Sequence, residues 1–279
     1  MRIARTLPEL HEATAALRRR AGALTLVPTM GALHAGHGAL VRAAVARGDP
    51  TAASIFVNPL QFAPTEDLAR YPRDEAGDLD KLRAWGCDLV WLPDIATMYP
   101  AGAATTIVPE GPPAEGWEGA ARPGHFRGVA TVVAKLFGQI GATHACFGEK
   151  DWQQLQVVRR MVADLHLPVA VIGIATVREA DGLALSSRNR YLAADERTRA
   201  PALHRALRHA AGRLAAGTEA AAALAEATAA LTADGFAVDY FALVDGPSLR
   251  AIPALVPGAR LIAAARLGPV RLLDNLAAG

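Results

Sequence analysis

Leu24, Leu26 and Val27 form an apolar run of strand length, and proline at 28 is expected to end it because proline cannot donate to a central ladder. Gly31 permits a tight turn. From Gly36 to Arg47, Leu40, Val41, Ala44 and Val45 recur at helical spacing until Gly48-Asp49-Pro50 stops them. A strand, a glycine turn and a helix in that order must bury the strand in a sheet and lay the helix back across it. His34 and His37 are three apart, so both imidazoles sit on one side of the first helical turn. Unpaired N–H groups and the positive dipole end make that turn an anion site, and the rings add donors. A lone His-x-x-His is more often a surface or core feature. Pro28, Gly31 and Gly36 favour the functional reading, since each eases the backbone where a ligand would approach.

The same order continues along the chain. Pro8 to Arg20 has helical spacing, Thr51 to Val57 is a buried strand, Asp74 to Trp85 a helix and Asp88 to Leu92 a strand. Glu66 to Arg73 is polar and turn-rich, and 101–126 reads as a loop excursion covering a site. Gly128 to Ile140 is helical, and Thr143 to Phe147, Gly148-Glu149-Lys150-Asp151 and Trp152 to Leu165 make a second strand, turn and helix. Val169 to Ala175 is a further strand. This alternation implies a parallel sheet with right-handed crossovers. Beyond Leu192 come alanine-rich helices, Asp195 to Ala215 and Thr218 to Ala233, then strands at Val238 to Val244, Arg260 to Ala265 and Pro269 to Leu273. Helices followed by strands mark a smaller α+β unit, dividing the chain into 1–174 and 175–279.

Composition excludes several classes. Twenty-nine Lys and Arg against 27 Asp and Glu leave +2, which implies neither a nucleic-acid stripe nor an acidic tail. Cys87 and Cys146 have no metal or redox spacing and read as buried thiols in a reducing cytoplasm. Charges and a proline interrupt Met1 to Leu10, so no export signal is indicated, and no run approaches the ~18 apolar residues of a membrane span. A soluble cytoplasmic protein is expected.

Polar clusters follow the strand ends: His34 and His37; Asn58 and Gln61; Lys150, Asp151 and Gln154. On parallel strands these converge on one sheet edge, the usual ligand edge of an open α/β sheet, and Ser186-Ser187-Arg188 can close over them from the second unit. Lys150 offers a point charge to oxyanions and Arg188 a bidentate fork. Asn58 and Gln61 suit hydroxyl and amide recognition. A Walker lysine motif, a dinucleotide glycine fingerprint, a nucleophile elbow and a His-Glu-x-x-His zinc motif are all missing from the sequence.

Four blocks carry a resemblance: Pro28-Thr29-Met30-Gly31-Ala32-Leu33-His34-x-Gly36-His37; Ser54-Ile55-Phe56-Val57-Asn58-Pro59-x-Gln61-Phe62; Phe147-Gly148-Glu149-Lys150-Asp151; and Val177-Arg178-Glu179-x-Asp181-Gly182 through Leu185-Ser186-Ser187-Arg188-Asn189. With Arg266-Leu267-Gly268 and Leu273-Asp274-Asn275 they closely resemble the pantothenate synthetase (pantoate–β-alanine ligase) family, over nearly the full chain. His-x-Gly-His alone marks only the nucleotidyltransferase superfamily. The resemblance implies a Rossmann-like parallel-sheet domain, a smaller α+β lid, a homodimer, and Mg²⁺ with ATP. It implies that pantoate attacks the α-phosphate to give pantoyl adenylate, and that β-alanine then displaces AMP.

By matching positions, the resemblance implies that His34, His37, Lys150, Ser186, Ser187 and Arg188 act on the phosphates. Met30, Gly31, Gly36, Gly148, Glu149, Asp151, Val177 and Leu185 would border ATP. Pro28, Thr29, Met30, Gln61 and Gln154 would hold pantoate, Asn58 and Gln61 would orient β-alanine, and Asp78 would help hold Mg²⁺. No residue is assigned as the base for the β-alanine amine. Two departures stand out: Ala35 where the family usually has Glu, and Gly38 where it usually has an apolar residue such as Leu, which is expected to weaken helix packing. A sister enzyme activating another hydroxy or amino acid, and a nucleotide-binding regulator without turnover, are the competing readings.

Overall fold

A computed structural model describes residues 1–62 and 68–279; Glu66 and Asp67 of the polar stretch lie outside them. The order of elements is β1 (Arg2–Ala4), α1 (Leu7–Ala21), β2 (Thr25–Thr29), α2 (Ala35–Ala46), β3 (Thr51–Ile55), α3 (Glu75–Ala84), β4 (Leu89–Trp91), α4 (Ile95–Met98), α5 (Trp117–Ala121), α6 (His125–Ile140), β5 (His144–Gly148), α7 (Trp152–Asp164) and β6 (Ala170–Ile174). Strands β1 to β6 form one parallel sheet ordered β1-β4-β3-β2-β5-β6. Its two faces carry separate apolar layers. Leu10, Leu24, Trp91, Val133, Ile140 and Leu155 pack on one side, and Val27, Val41, Leu82, Val90 and Cys146 on the other. Both cysteines are buried free thiols, as expected.

The remaining chain runs through α8 (Ala194–Arg199), α9 (Ala202–Ala215), α10 (Ala220–Ala233), β7 (Ala237–Asp245), β8 (Ala259–Leu267) and β9 (Val270–Ala277). The last three strands make an antiparallel sheet in the order β7-β8-β9. Leu203, Leu207, Leu231, Leu243 and Leu261 join its face to α9 and α10 in a third core. Several expectations change. The helix expected over Asp195 to Ala215 is two, because Pro201 lacks an N–H and restricts the residue before it. Strand β1 carries too few residues to show an alternation, yet it pairs with β4. The excursion at 101–126 contains the short helix α5.

A further change concerns Pro28, which lies inside β2 rather than ending it. Thr29 points its carbonyl at Phe56 N beyond β3, so the alternating backbone turns residue 28 towards β5. Pairing with β5 covers only Thr25 and Leu26, against His144 and Ala145. Proline therefore sits where the ladder has already ended and its missing N–H costs no bond. There the chain order reverses, from β3 and β4 on one side to β5 and β6 on the other, so the diverging carboxyl ends of β2 and β5 open the crevice that ligands use in such sheets.

Candidate active site

The turn after β2 builds the first wall. Gly31 and Ala32 both take left-handed backbone (φ 82° and 51°), which costs nothing for glycine but strains alanine. Asp78 holds them there: its carboxylate, 1% exposed, accepts from Ala32 N at 2.7 Å and Leu33 N at 2.8 Å. A carboxylate so engaged braces the loop, and the Mg²⁺ role expected of Asp78 does not fit it. Beyond the turn, His34 caps α2.

His34 Nδ1 accepts from Gly36 N at 3.1 Å, and His37 Nδ1 accepts from His34 N at 3.3 Å. With Nδ1 accepting, each neutral ring carries its proton on Nε2, which becomes the donor available to the cleft. Burial first, then the positive charge of Lys150, pulls the His34 pKa down to about 4. Burial, His34 and Lys150 pull His37 to about 3. Both rings are neutral near pH 7. Gly36 is required by this packing, because a Cβ there would lie 2.9 Å from the His34 ring.

The second wall follows β5. Lys150 lies in a 3₁₀ turn, Glu149–Asp151, with its ammonium 3.8 Å from Asp151 Oδ1. A third side comes from a 3₁₀ turn at Ser187–Tyr191, where Ser186 Oγ accepts from Arg188 N at 3.2 Å. His34, His37, Lys150, Ser186, Ser187 and Arg188 all line one cleft. So do Pro28, Thr29, Met30, Gly36, Asn58, Gln61, Gly148, Asp151, Gln154, Val177 and Leu185. Gly31 does not line it. Nor does Glu149, whose carboxylate pairs with Arg260 at 3.4 Å.

The floor was less legible. Asn58 is 1% exposed and fully bonded: its Nδ2 donates to Gln61 Oε1 and Gly128 O, both at 3.1 Å, while its Oδ1 accepts from Tyr99 and Leu60 N. It orients Gln61 and has no amide atom left for a ligand. Gln61 Nε2 then faces Met30 Sδ at 3.0 Å. The Gln61 carbonyl accepts from Arg122 at 3.2 Å and from His125 Nδ1 at 2.9 Å. Arg122 and His125 were missed as site residues. The signal was a basic pair at the start of an apolar helix. The same helix, α6, presents Val129, Val132, Val133 and Leu136 to the cleft as an apolar wall.

Among the described residues no group of three His, Cys, Asp or Glu side chains is arranged to hold a metal. No helix among them is long and apolar enough to cross a membrane.

An open parallel sheet whose switch-point crevice collects a helix N-terminus, two neutral imidazoles, a lysine and a serine-arginine turn defines an α/β nucleotide-binding protein of the His-x-Gly-His kind. Known proteins narrow this class. The profile of the family described as Pantoate-beta-alanine ligase matches residues 2–277, and the chain belongs to that family. A pantothenate synthetase of Granulibacter bethesdensis is 59% identical over 278 residues, 99% of this chain and 96% of the relative. The crystal structure of pantothenate synthetase from Thermus thermophilus superposes with a TM-score of 0.94 at 51% identity, covering 100% of this chain and 99% of that one. A Francisella tularensis pantoate-beta-alanine ligase complexed with beta-gamma ATP and beta-alanine gives 0.85 at 32% identity, covering 100% and 98%.

Proposed function

We propose that the chain is an AMP-forming ligase that condenses pantoate with β-alanine, using ATP and passing through pantoyl adenylate. The observation that carries this reading is the meeting of two neutral Nε2–H donors, Lys150 and the Ser186–Arg188 turn on one crevice, in a chain of this family. In the first half-reaction a pantoate carboxylate oxygen attacks the α-phosphate, and the bond to the bridging oxygen of pyrophosphate breaks. Charge grows on the α-phosphate oxygens, where Lys150 stabilises it; His34 and His37 donate to the triphosphate, and Ser186, Ser187 and Arg188 grip it from the far side. Met30, Gly36, Gly148, Asp151, Val177 and Leu185 border the nucleotide.

Pantoate lies across Pro28, Thr29 and Met30, with Gln61 and Gln154 on its hydroxyl and carboxyl groups and the apolar wall of α6 against its methyl groups. In the second half-reaction the free amine of β-alanine attacks the acyl carbon, the bond to AMP breaks, and the amine proton leaves to water or a nearby base. Gln61 orients β-alanine, and Asn58 acts through Gln61. Mg²⁺ would enter on the ATP phosphates, with few or no protein ligands, and neutralise part of their charge. Burial keeps the mixed anhydride from water.

The division at 1–174 and 175–279 is supported by the separate cores, the second part serving as a lid. A homodimer and a cytoplasmic location follow from the family resemblance; light scattering tests the first and fractionation the second. The purified chain should release pyrophosphate only with pantoate, ATP and Mg²⁺, and release AMP together with pantothenate only when β-alanine is added as well. AMP release driven by another hydroxy acid and not by pantoate would move the reading to a sister enzyme. Lys150→Ala should leave ATP binding near wild type while slowing adenylate formation by roughly 10² or more, as loss of one oxyanion stabiliser does. Single-turnover pyrophosphate release reads it, and an unchanged rate would remove Lys150 from the role given it.

A further inference from the structure

Lys150 enters the cleft from a turn of only three residues, Glu149–Asp151, so the placement of its ammonium depends on what holds that backbone. The support comes from the far end of the chain. Asn275, on β9 and 4% exposed, donates both Nδ2 hydrogens to consecutive carbonyls of the turn, Glu149 O and Lys150 O, each at 2.9 Å. Its Oδ1 accepts from Arg260, and Arg260 also pairs with the Glu149 carboxylate at 3.4 Å. Every polar atom of the carboxamide is thus committed to the Lys150 turn or to a group that touches it.

The preceding residue does the same for the opposite wall. Asp274, 4% exposed, holds Arg178 through two bonds of 2.6 and 2.9 Å, and Arg178 in turn donates to Gly182 O at 3.1 Å. Arg178 and Ala184 form a β-bridge at the base of the loop that leads into Ser186-Ser187-Arg188. Asp274 Oδ1 also accepts from the backbone N of Asn275 at 2.7 Å, which fixes the carboxylate against the strand. Two adjacent residues of one strand therefore set both phosphate-gripping blocks, one reached through Asn275 and the other through Asp274.

We infer that Asn275 is a positioning residue for Lys150, fixing its ammonium against the Ser186–Arg188 turn. This rests on the ligase reading, in which Lys150 meets the reacting phosphate. A carboxamide fits the task because one nitrogen supplies two donors to neighbouring carbonyls while its oxygen takes a cation. Asn275→Asp keeps the shape but loses both donors and sets a carboxylate against two carbonyl oxygens. A displacement of about 1 Å in such a group costs on the order of 10²-fold in rate.

The test is a cycle of four proteins, wild type, Asn275→Ala, Lys150→Ala and the double variant, assayed for single-turnover pyrophosphate release with ATP, Mg²⁺ and pantoate. Asn275→Ala should slow adenylate formation at least tenfold with the KM for ATP changed less than about threefold, and it should cost almost nothing further once Lys150 is alanine. Equal losses in both backgrounds would make Asn275 merely structural and overturn the inference, as would an unchanged rate in the single variant. If Asn275→Ala does not fold, Asn275→Asp takes its place in the cycle; failure of both to fold also overturns it. A wild-type protein that releases no pyrophosphate with pantoate would instead refute the ligase reading.

Discussion

An imidazole that accepts at Nδ1, is buried, and faces a lysine has little reason to take a second proton, and that governs how His34 and His37 respond to pH. Their pKa values in the folded chain, about 4 and about 3, lie below the ordinary 6.5. Between those values and 6.5 the unfolded chain binds protons that the folded rings refuse, so stability rises with pH across that window and falls as the medium is acidified. The loss should reach about 1 kcal/mol per pH unit per ring below pH 6. Thermal melts from pH 7.5 to 5 should show it, with a shallower slope in His37→Gln; an unchanged slope would mean that His37 is not held neutral. Single residues were legible unevenly. The histidines and Lys150 stand beside glycines or strand ends that advertise them, whereas Arg122, His125 and Asn275 act through backbone carbonyls remote in sequence.

Among elements, the contact of α2 with α3 explains Gly38. The expectation was a weakened helix, yet the Trp85 ring fills the space: a Cβ at residue 38 would lie 2.8 Å from Trp85 Cε2 and 3.0 Å from Arg42 Nη1. The glycine makes room for the indole at this interface. Gly38→Leu should therefore destabilise by about 1–3 kcal/mol through overpacking, and Trp85→Ala in the same chain should recover part of it. Denaturant midpoints for the three variants check this, and a neutral Gly38→Leu would show that Trp85 moves freely. Element types were legible because their periods and stops are local. Pro28 misled because a proline is a stop signal by sequence alone, and only its place beside a ladder that has already ended makes it a strand residue.

For the whole molecule, one tie between α5 and the second sheet is ionic and buried. Glu118 on α5, 7% exposed, accepts from Arg271 on β9 at 2.9 Å and from the Tyr240 hydroxyl on β7 at 2.9 Å, while Arg271 also holds Asp239 at 2.6 Å. Burial alone would raise the Glu118 pKa, but the hydrogen bond and charge of Arg271 hold it below the usual carboxylate range. Glu118→Ala leaves Arg271 buried without one of its two carboxylate partners and should cost about 3 kcal/mol, the lower end for breaking a buried pair. Equilibrium urea unfolding reads that loss, and a cost within error of zero would show the tie to be unimportant. By itself the sequence determined the parallel sheet, the smaller α+β part and many of the side chains that line the cleft, because periodicity, turn residues and helix starts act over a few neighbours. Only the tertiary structure decided that Asp78 braces a strained turn, that Asn58 serves Gln61, and that β9 holds the Lys150 turn. Those roles are hydrogen bonds between atoms 3 to 126 residues apart, and no local pattern records which distant carbonyl or N–H a buried side chain will meet.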